Sequence, residues 1–177
     1  MSTVVVLAMH GVPPDDFPRD ELVELLGLEA RLERGAGTDR EGDSPHRRES
    51  LERRFRELDE KLRTWPRTVE NDRFHASSLD LGARLGRRLG IEVIVAFNEF
   101  CAPSLDEALE RAASRGAARV VIATAMMTPG GAHSEVDIPA AIARSHARHP
   151  VVEFVYAWPF DAEDSARFLE DQIKRFL

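Results

Sequence analysis

The sequence predicts an α/β protein: an open, parallel four-stranded sheet with helices on both faces and a helical insertion after the first strand. Three observations carry this. Four segments dense in Val and Ile, bounded by polar or turn residues, read as strands buried on both faces. Helical patterns lie between and after them, and such alternation implies parallel strands joined by right-handed crossovers. About 65 residues lie between the first strand and the helix that ends near Leu89 and leads into the second, far more than a βα loop needs. At 177 residues the chain suffices for one core of this kind and is too short for two, so a single domain over 1–177 is expected, with the insertion at about 13–75.

The first strand is read at 3–9. Two amphipathic patterns follow, 22–32 and 51–62, the second carrying Leu51, Phe55, Leu58 and Leu62 on one stripe, and together they predict a helical hairpin. Its connector, 35–50, is rich in Gly, Asp, Arg and Ser, has almost nothing to bury, and is expected to be mobile or disordered. Leu81, Leu85 and Leu89 then repeat at helical spacing up to Gly90, and the second strand is read at 91–97. Ser104 and Glu107 form a capping box before Leu105, Ala108, Leu109 and Ala112, with Gly116 as the stop. After a third strand at 119–125, Asp137 is expected to cap a helix with Pro139 in its first turn and Ile138, Ala141 and Ile142 on one face. A fourth strand at 151–157 precedes a last helix whose inward stripe is Leu169, Ile173 and Phe176.

Composition narrows the function. Hydrophobic residues make up 43% and charged residues 31%, and no apolar run approaches the roughly 20 residues of a bilayer span. The N-terminal apolar run has no basic residue before it and no small-residue cleavage site, so it does not read as a signal peptide, and the cytoplasm is the expected compartment. A net charge of −7 argues against general attraction to nucleic acid or an anionic membrane. The single cysteine, Cys101, excludes an internal disulfide, a Cys-based zinc cluster and a Cys-held iron–sulfur centre, leaving His and carboxylates for any metal site. Cys101 itself reads as a small buried residue rather than a nucleophile.

In an open α/β sheet, ligands bind beyond the carboxyl ends of the strands. His10 and Gly11 follow the first strand, Asn98 and Glu99 the second, and a loop with Gly130, Gly131 and His133 the third. Two imidazoles and one carboxylate on one sheet edge can hold a divalent transition ion while leaving positions open. His10, His133 and Glu99 are therefore the candidate ligands. His46 falls in the connector, and His146 and His149 fall at a helix end, where a cation complements the dipole. These three read as solvated or structural, His75 is left undecided, and Met126 and Met127 read as packing.

AMHG at 8–11, AFNEFCAPSLDEALERA at 96–112 and PGGAHSEVDIPAAI at 129–142 resemble the class II chelatases, the sirohydrochlorin cobaltochelatase and ferrochelatase group. The resemblance covers all four strands and implies a chelatase-like, flavodoxin-related fold. It departs at Val12, where the family often has Ser, at Ala132, where it has Gly, and at Glu135 and Val136, where it has a basic–acidic pair. The insertion has no counterpart in the compact members. What the resemblance implies is ATP-independent insertion of cobalt, iron or nickel into sirohydrochlorin or a related tetrapyrrole. His10 and His133 would bind the ion and accept pyrrole protons, and Glu99 would complete the site. The absence of a Walker G-x-x-x-x-G-K motif agrees with a reaction that uses no nucleotide.

Two other readings remain: a noncatalytic metal or tetrapyrrole carrier, and a histidine-type phosphohydrolase, the latter weakened by Met9 where that chemistry places an arginine before the histidine. An anionic tetrapyrrole calls for cations, for which Arg84, Arg87, Arg88, Arg144 and Arg148 are candidates. Trp65 and Trp158 could stack on it, although packing is the more ordinary use of each. Longer family members hold two copies of this unit, whereas this chain carries one set of motifs. A homodimer built on the stripe of Leu51, Phe55, Leu58 and Leu62 is the expected second wall, with the insertion folded over as a lid the alternative.

Overall fold

The computed structural model describes residues 2–35 and 45–177. Contacts divide the chain into two compact units, one of Met1–His10, Ser77–Asn98 and Pro103–Leu177, the other of Gly11–Ala76 with Glu99–Ala102.

The first unit is built on four parallel strands, β1 (Thr3–Met9), β2 (Glu92–Phe97), β3 (Arg119–Thr124) and β4 (Glu153–Tyr156), in the spatial order β2-β1-β3-β4. Central β1 is buried along nearly its whole length. Edge strand β4 is only half-buried, a correction to the expectation of strands covered on both faces. One face of the sheet, with Val4, Val6, Ala8, Ile94, Ala96, Val120 and Ile122, packs on α4 (Leu105–Ser114) and α5 (Ile138–Arg148). The capping box forms as read: the Ser104 side chain accepts from the Glu107 N–H, and the Glu107 carboxylate accepts from the Ser104 N–H.

Helix α3 (Arg73–Leu89) covers the opposite face, on a stripe other than the one expected. Leu81 and Leu89 are 44% and 50% exposed, while Ser78 and Gly82 are buried. A Cβ on Gly82 would sit 2.3 Å from Val95 Cγ2, so the bare glycine sets how closely helix and sheet approach. Helix α6 (Ala162–Ile173) starts at Asp161, whose carboxylate accepts from the N–H groups of Glu163 and Asp164. Its expected inward stripe is not buried: Leu169, Ile173 and Phe176 are all exposed, because α6 does not lie down on the sheet.

The second unit holds the insertion, a pair of helices α1 (Arg19–Gly35) and α2 (Pro45–Arg63). The connector expected to be mobile lies outside the described residues at 36–44, and its remainder is helical: Pro45 begins α2. Of the stripe of Leu51, Phe55, Leu58 and Leu62, the last two are buried inside this unit with Leu25, Leu28 and Phe17, and the first two pack against them partly buried. Much of the apolar surface from which a partner chain was expected is thus used within the unit. Trp65 is likewise committed, packing edge-on to Phe17 at 5.0 Å while its indole N–H donates to Asp16.

No helix among the described residues is long and apolar enough to cross a membrane.

Candidate metal centre

His10 is the first residue after β1, and its main chain is fixed by β2. The Asn98 N–H donates to the carbonyls of Met9 and His10, and the Asn98 side-chain amide donates again to Met9 O at 3.1 Å. His133 comes from the loop after β3 and opens a single π turn, His133–Asp137, that runs into α5. The turn is closed by the Ile138 N–H donating to His133 O and anchored by the Glu135 N–H donating to Gly131 O. Gly130 adopts φ +97°, open to it without a Cβ, and its N–H donates to the Glu135 carboxylate at 2.8 Å.

These two loops bring the imidazoles together, edge to face, with ring centroids 4.7 Å apart and an interplanar angle of 77°. Their ligand nitrogens lie within 4.8 Å of each other. Two nitrogens sharing an ion at about 2.0–2.1 Å each would be separated by at most about 4 Å, so a small side-chain adjustment suffices. His10 is exposed and His133 half-buried, which leaves the pair open to an incoming ligand.

Asp137 was expected to cap α5, and it does not: its backbone is helical and its side chain makes no cap bond. Its carboxylate instead lies 2.7 Å from His133 Nδ1. In a neutral ring this partner holds the proton on Nδ1 and leaves the Nε2 lone pair for a metal or a proton, the usual second partner of a ligating histidine. Sequence reasoning missed this role, although the four-residue spacing from His133 was its signal.

Beside the π turn, the Tyr156 hydroxyl donates to Ser134 O at 3.0 Å. Burial first, and then the Glu135 carboxylate, push this phenol up to about 12. Tyr156 is the only tyrosine, so a spectrophotometric titration reads it alone. The phenolate absorbance is expected to rise with a midpoint near 12 in the folded protein, against about 10 in denaturant. Because the raised value favours the protonated folded state, this contribution to stability is intact below about pH 10 and disappears as pH rises through the folded value. A midpoint near 10 in the native protein would show that the phenol is neither buried nor close to the Glu135 carboxylate.

Glu99 belongs to the second unit and is joined by its peptide bond to Asn98. Gly11, the residue after His10, packs on it: a Cβ there would lie 1.9 Å from Glu99 O, and Gly11 has φ +131°. Phe100 follows at φ 58°, and the Cys101 N–H donates back to Glu99 O at 2.7 Å. The Arg67 guanidinium fastens this turn, donating to the carbonyls of Val12, Leu62 and Phe100 and to the Asp72 carboxylate. Arg67 and Asp72 are 6% and 0% exposed. Cys101 is buried beside them, and burial pushes its thiol up, the opposite of what a nucleophile needs.

Of the remaining candidates, His149 Nε2 lies 2.8 Å from a Glu110 carboxylate oxygen, His46 is exposed at the start of α2, and burial lowers His75. Arg144 and Arg148 both pair with Asp106 and hold its carboxyl below the usual range. Arg84 pairs with Asp80. Arg87 and Arg88 end α3, on the side where β2 begins, which is the sheet edge opposite the histidines.

The family model described as CbiX matches residues 70–175. The sirohydrochlorin cobaltochelatase of Priestia megaterium is 36% identical over 76 residues, covering 43% of this chain and 24% of that protein. The sirohydrochlorin ferrochelatase of the same organism is 31% identical over 70 residues, 40% of this chain and 26% of that protein. The matched segment thus spans about a quarter of the length of these curated relatives. Among solved structures, a CbiX cobalamin (vitamin B12) biosynthesis protein from Marinobacter aquaeolei VT8 superposes with a TM-score of 0.55 at 16% identity. The superposition covers 99% of this chain and 94% of that one, and it shows a common fold.

Proposed function

We propose that this chain, which belongs to the CbiX family, inserts a divalent metal ion into sirohydrochlorin or a related tetrapyrrole. The observation that carries the reading is the facing pair of His10 and His133 at the carboxyl edge of a parallel sheet, the second held by Asp137. The curated relatives matched by the chain carry out metal chelation by name, for cobalt in one case and iron in the other.

The reaction itself states what the site must do. A free tetrapyrrole holds two pyrrole protons, and the ion enters as both leave and its water ligands are shed. Neutral imidazoles serve as ligand or as proton acceptor near neutral pH. His133, with Nδ1 turned to Asp137, presents Nε2 alone, and the exposed His10 ring lies against it. Glu99 is assigned as the third ligand, lowering the charge cost of holding a dication before transfer. Its support is covalent and local: it follows Asn98, which bonds the His10 carbonyl, and it contacts Gly11, which follows His10. Three ligands with open positions keep the ion exchangeable, as delivery requires. The reaction needs no nucleotide, since formation of the metal–nitrogen bonds drives it.

The test is anaerobic incubation with sirohydrochlorin and cobalt, iron or nickel in turn, following the absorbance change above the uncatalysed rate. Acceleration with at least one ion is expected. Binding of ion and ring without acceleration would make the chain a carrier, and phosphate release from a phosphoester would move it to another chemistry. Asp137→Asn is expected to lower the insertion rate by about 10- to 100-fold while the fold is kept, because the amide no longer fixes the His133 proton as a carboxylate does. An unchanged rate would remove Asp137 from the site.

A further inference from the structure

The end of β4 and the chain beyond it carry aromatic residues at alternate positions, Tyr156, Trp158 and Phe160. The Ala157 N–H still donates to Ile122 O, so the extended register beside β3 continues past the end of β4. The rings form a ladder. Tyr156 and Trp158 stack at 6.2 Å with an interplanar angle of 18°, and Phe160 stands edge-on to Trp158 at 5.7 Å and 87°. Only Tyr156 packs against the hydrophobic core, whereas Trp158 is half-buried and Phe160 is 36% exposed. Core packing therefore accounts for the first rung and not for the other two.

Position supplies the second observation. The ladder leaves the carboxyl end of β4, the strand next to β3, on the sheet edge that carries His10 and His133. Its first rung is tied to the histidine loop itself, through the Tyr156 hydroxyl and the carbonyl of Ser134, the residue after His133. A half-buried indole stacked on the tyrosine that is bonded to the loop of a candidate metal ligand suits a ligand that is flat, conjugated and metal-accepting at its centre.

We propose that Trp158, backed by Tyr156 and flanked by Phe160, is a stacking subsite for one face of the macrocycle and sets affinity for the ring rather than for the metal. The proposal rests on the tetrapyrrole reading above. It assigns Trp158 and Phe160 to direct contact with the ring and Tyr156 to positioning Trp158.

The experiment uses the full chain with Trp65→Phe, which leaves Trp158 as the only indole, and metal-free uroporphyrin as the probe. Titration is expected to quench Trp158 fluorescence and shift the ring's absorption band. Trp158→Leu, read by the absorption band alone, is expected to weaken ring binding by about tenfold, the scale of one lost stacking contact. Trp158→Phe should recover most of it, and Phe160→Ser, which alters a more exposed position, should weaken binding by a smaller factor. In the insertion assay Trp158→Leu should raise KM for the ring and leave KM for the metal unchanged. A ring that binds Trp158→Leu and Phe160→Ser as tightly as the parent chain, with unchanged circular dichroism, overturns the subsite and leaves the chelatase reading standing. A parent chain that binds neither uroporphyrin nor sirohydrochlorin overturns both.

Discussion

Replacing His133 with Ala is expected to lower the rate of metal insertion by at least about 100-fold, toward the uncatalysed rate, because insertion needs a ligand and a proton acceptor together and His133 supplies one of the two. His10→Ala should do nearly the same, since the rings face each other at 4.7 Å and neither alone can both hold the ion and take a proton. The two losses should not add: residues acting as one unit give a double variant little worse than either single one. Neither ring is buried in the core, so melting temperature and circular dichroism should stay at parent values. Two single variants with parental rates would show that the chemistry lies elsewhere.

The largest expected effect on stability lies in the second unit. Asp72→Ala would leave the Arg67 guanidinium buried without its counter-charge, and breaking such a pair costs about 3–5 kcal/mol. The loss should be worse than a simple pair deletion implies, because Arg67 also gathers the carbonyls of Val12, Leu62 and Phe100, segments far apart in sequence. Arg67 Nε already lacks a partner among the described residues, so the cluster has no spare acceptor to offer. Urea unfolding in a Trp158→Phe background, which leaves Trp65 in the same unit as the only indole, measures it by fluorescence. A loss under about 1 kcal/mol would mean that the pair contributes little beyond its own desolvation.

What could be read from the sequence follows from which contacts are local. The four strands, the Ser104–Glu107 box and the hairpin of α1 and α2 are written in short-range patterns and appear nearly where expected. His10 and His133 were legible because strand ends in parallel sheets mark the ligand edge. Asp137 was misread because a π turn has no periodicity that distinguishes it from the start of an α-helix, so a carboxylate that orients an imidazole looked like a cap. The stripe of α3 was misread for a related reason. Leucine spacing pointed to one face, while Gly82, which carries no hydrophobic signal, marks the face in contact. Arg67 gave no signal because its partners besides Asp72 are backbone carbonyls, which every sequence contains, and Asp72 gave none because it accepts from Arg67 and from the His75 N–H, neither of which marks it in the sequence. The inward stripe of α6 illustrates the converse: amphipathicity states that a face is apolar, not that its own chain covers it.

The π turn at His133–Asp137 also bears on how this segment can change over evolutionary time. A single π turn amounts to an α-helix carrying one extra residue. Loss of one residue between His133 and Ile138 would convert the five-residue closure from His133 O to the Ile138 N–H into an ordinary four-residue one, with Ile138 and Ala141 kept in the core and His133 beside His10. A residue lost from α5 itself has no such reserve and would turn everything downstream by about 100° about the axis, one helical step. What the shorter turn gives up is the four-residue spacing that sets the Asp137 carboxylate on His133 Nδ1. Related chains that keep the histidine pair should therefore tolerate a one-residue loss in this turn only where another acceptor replaces Asp137.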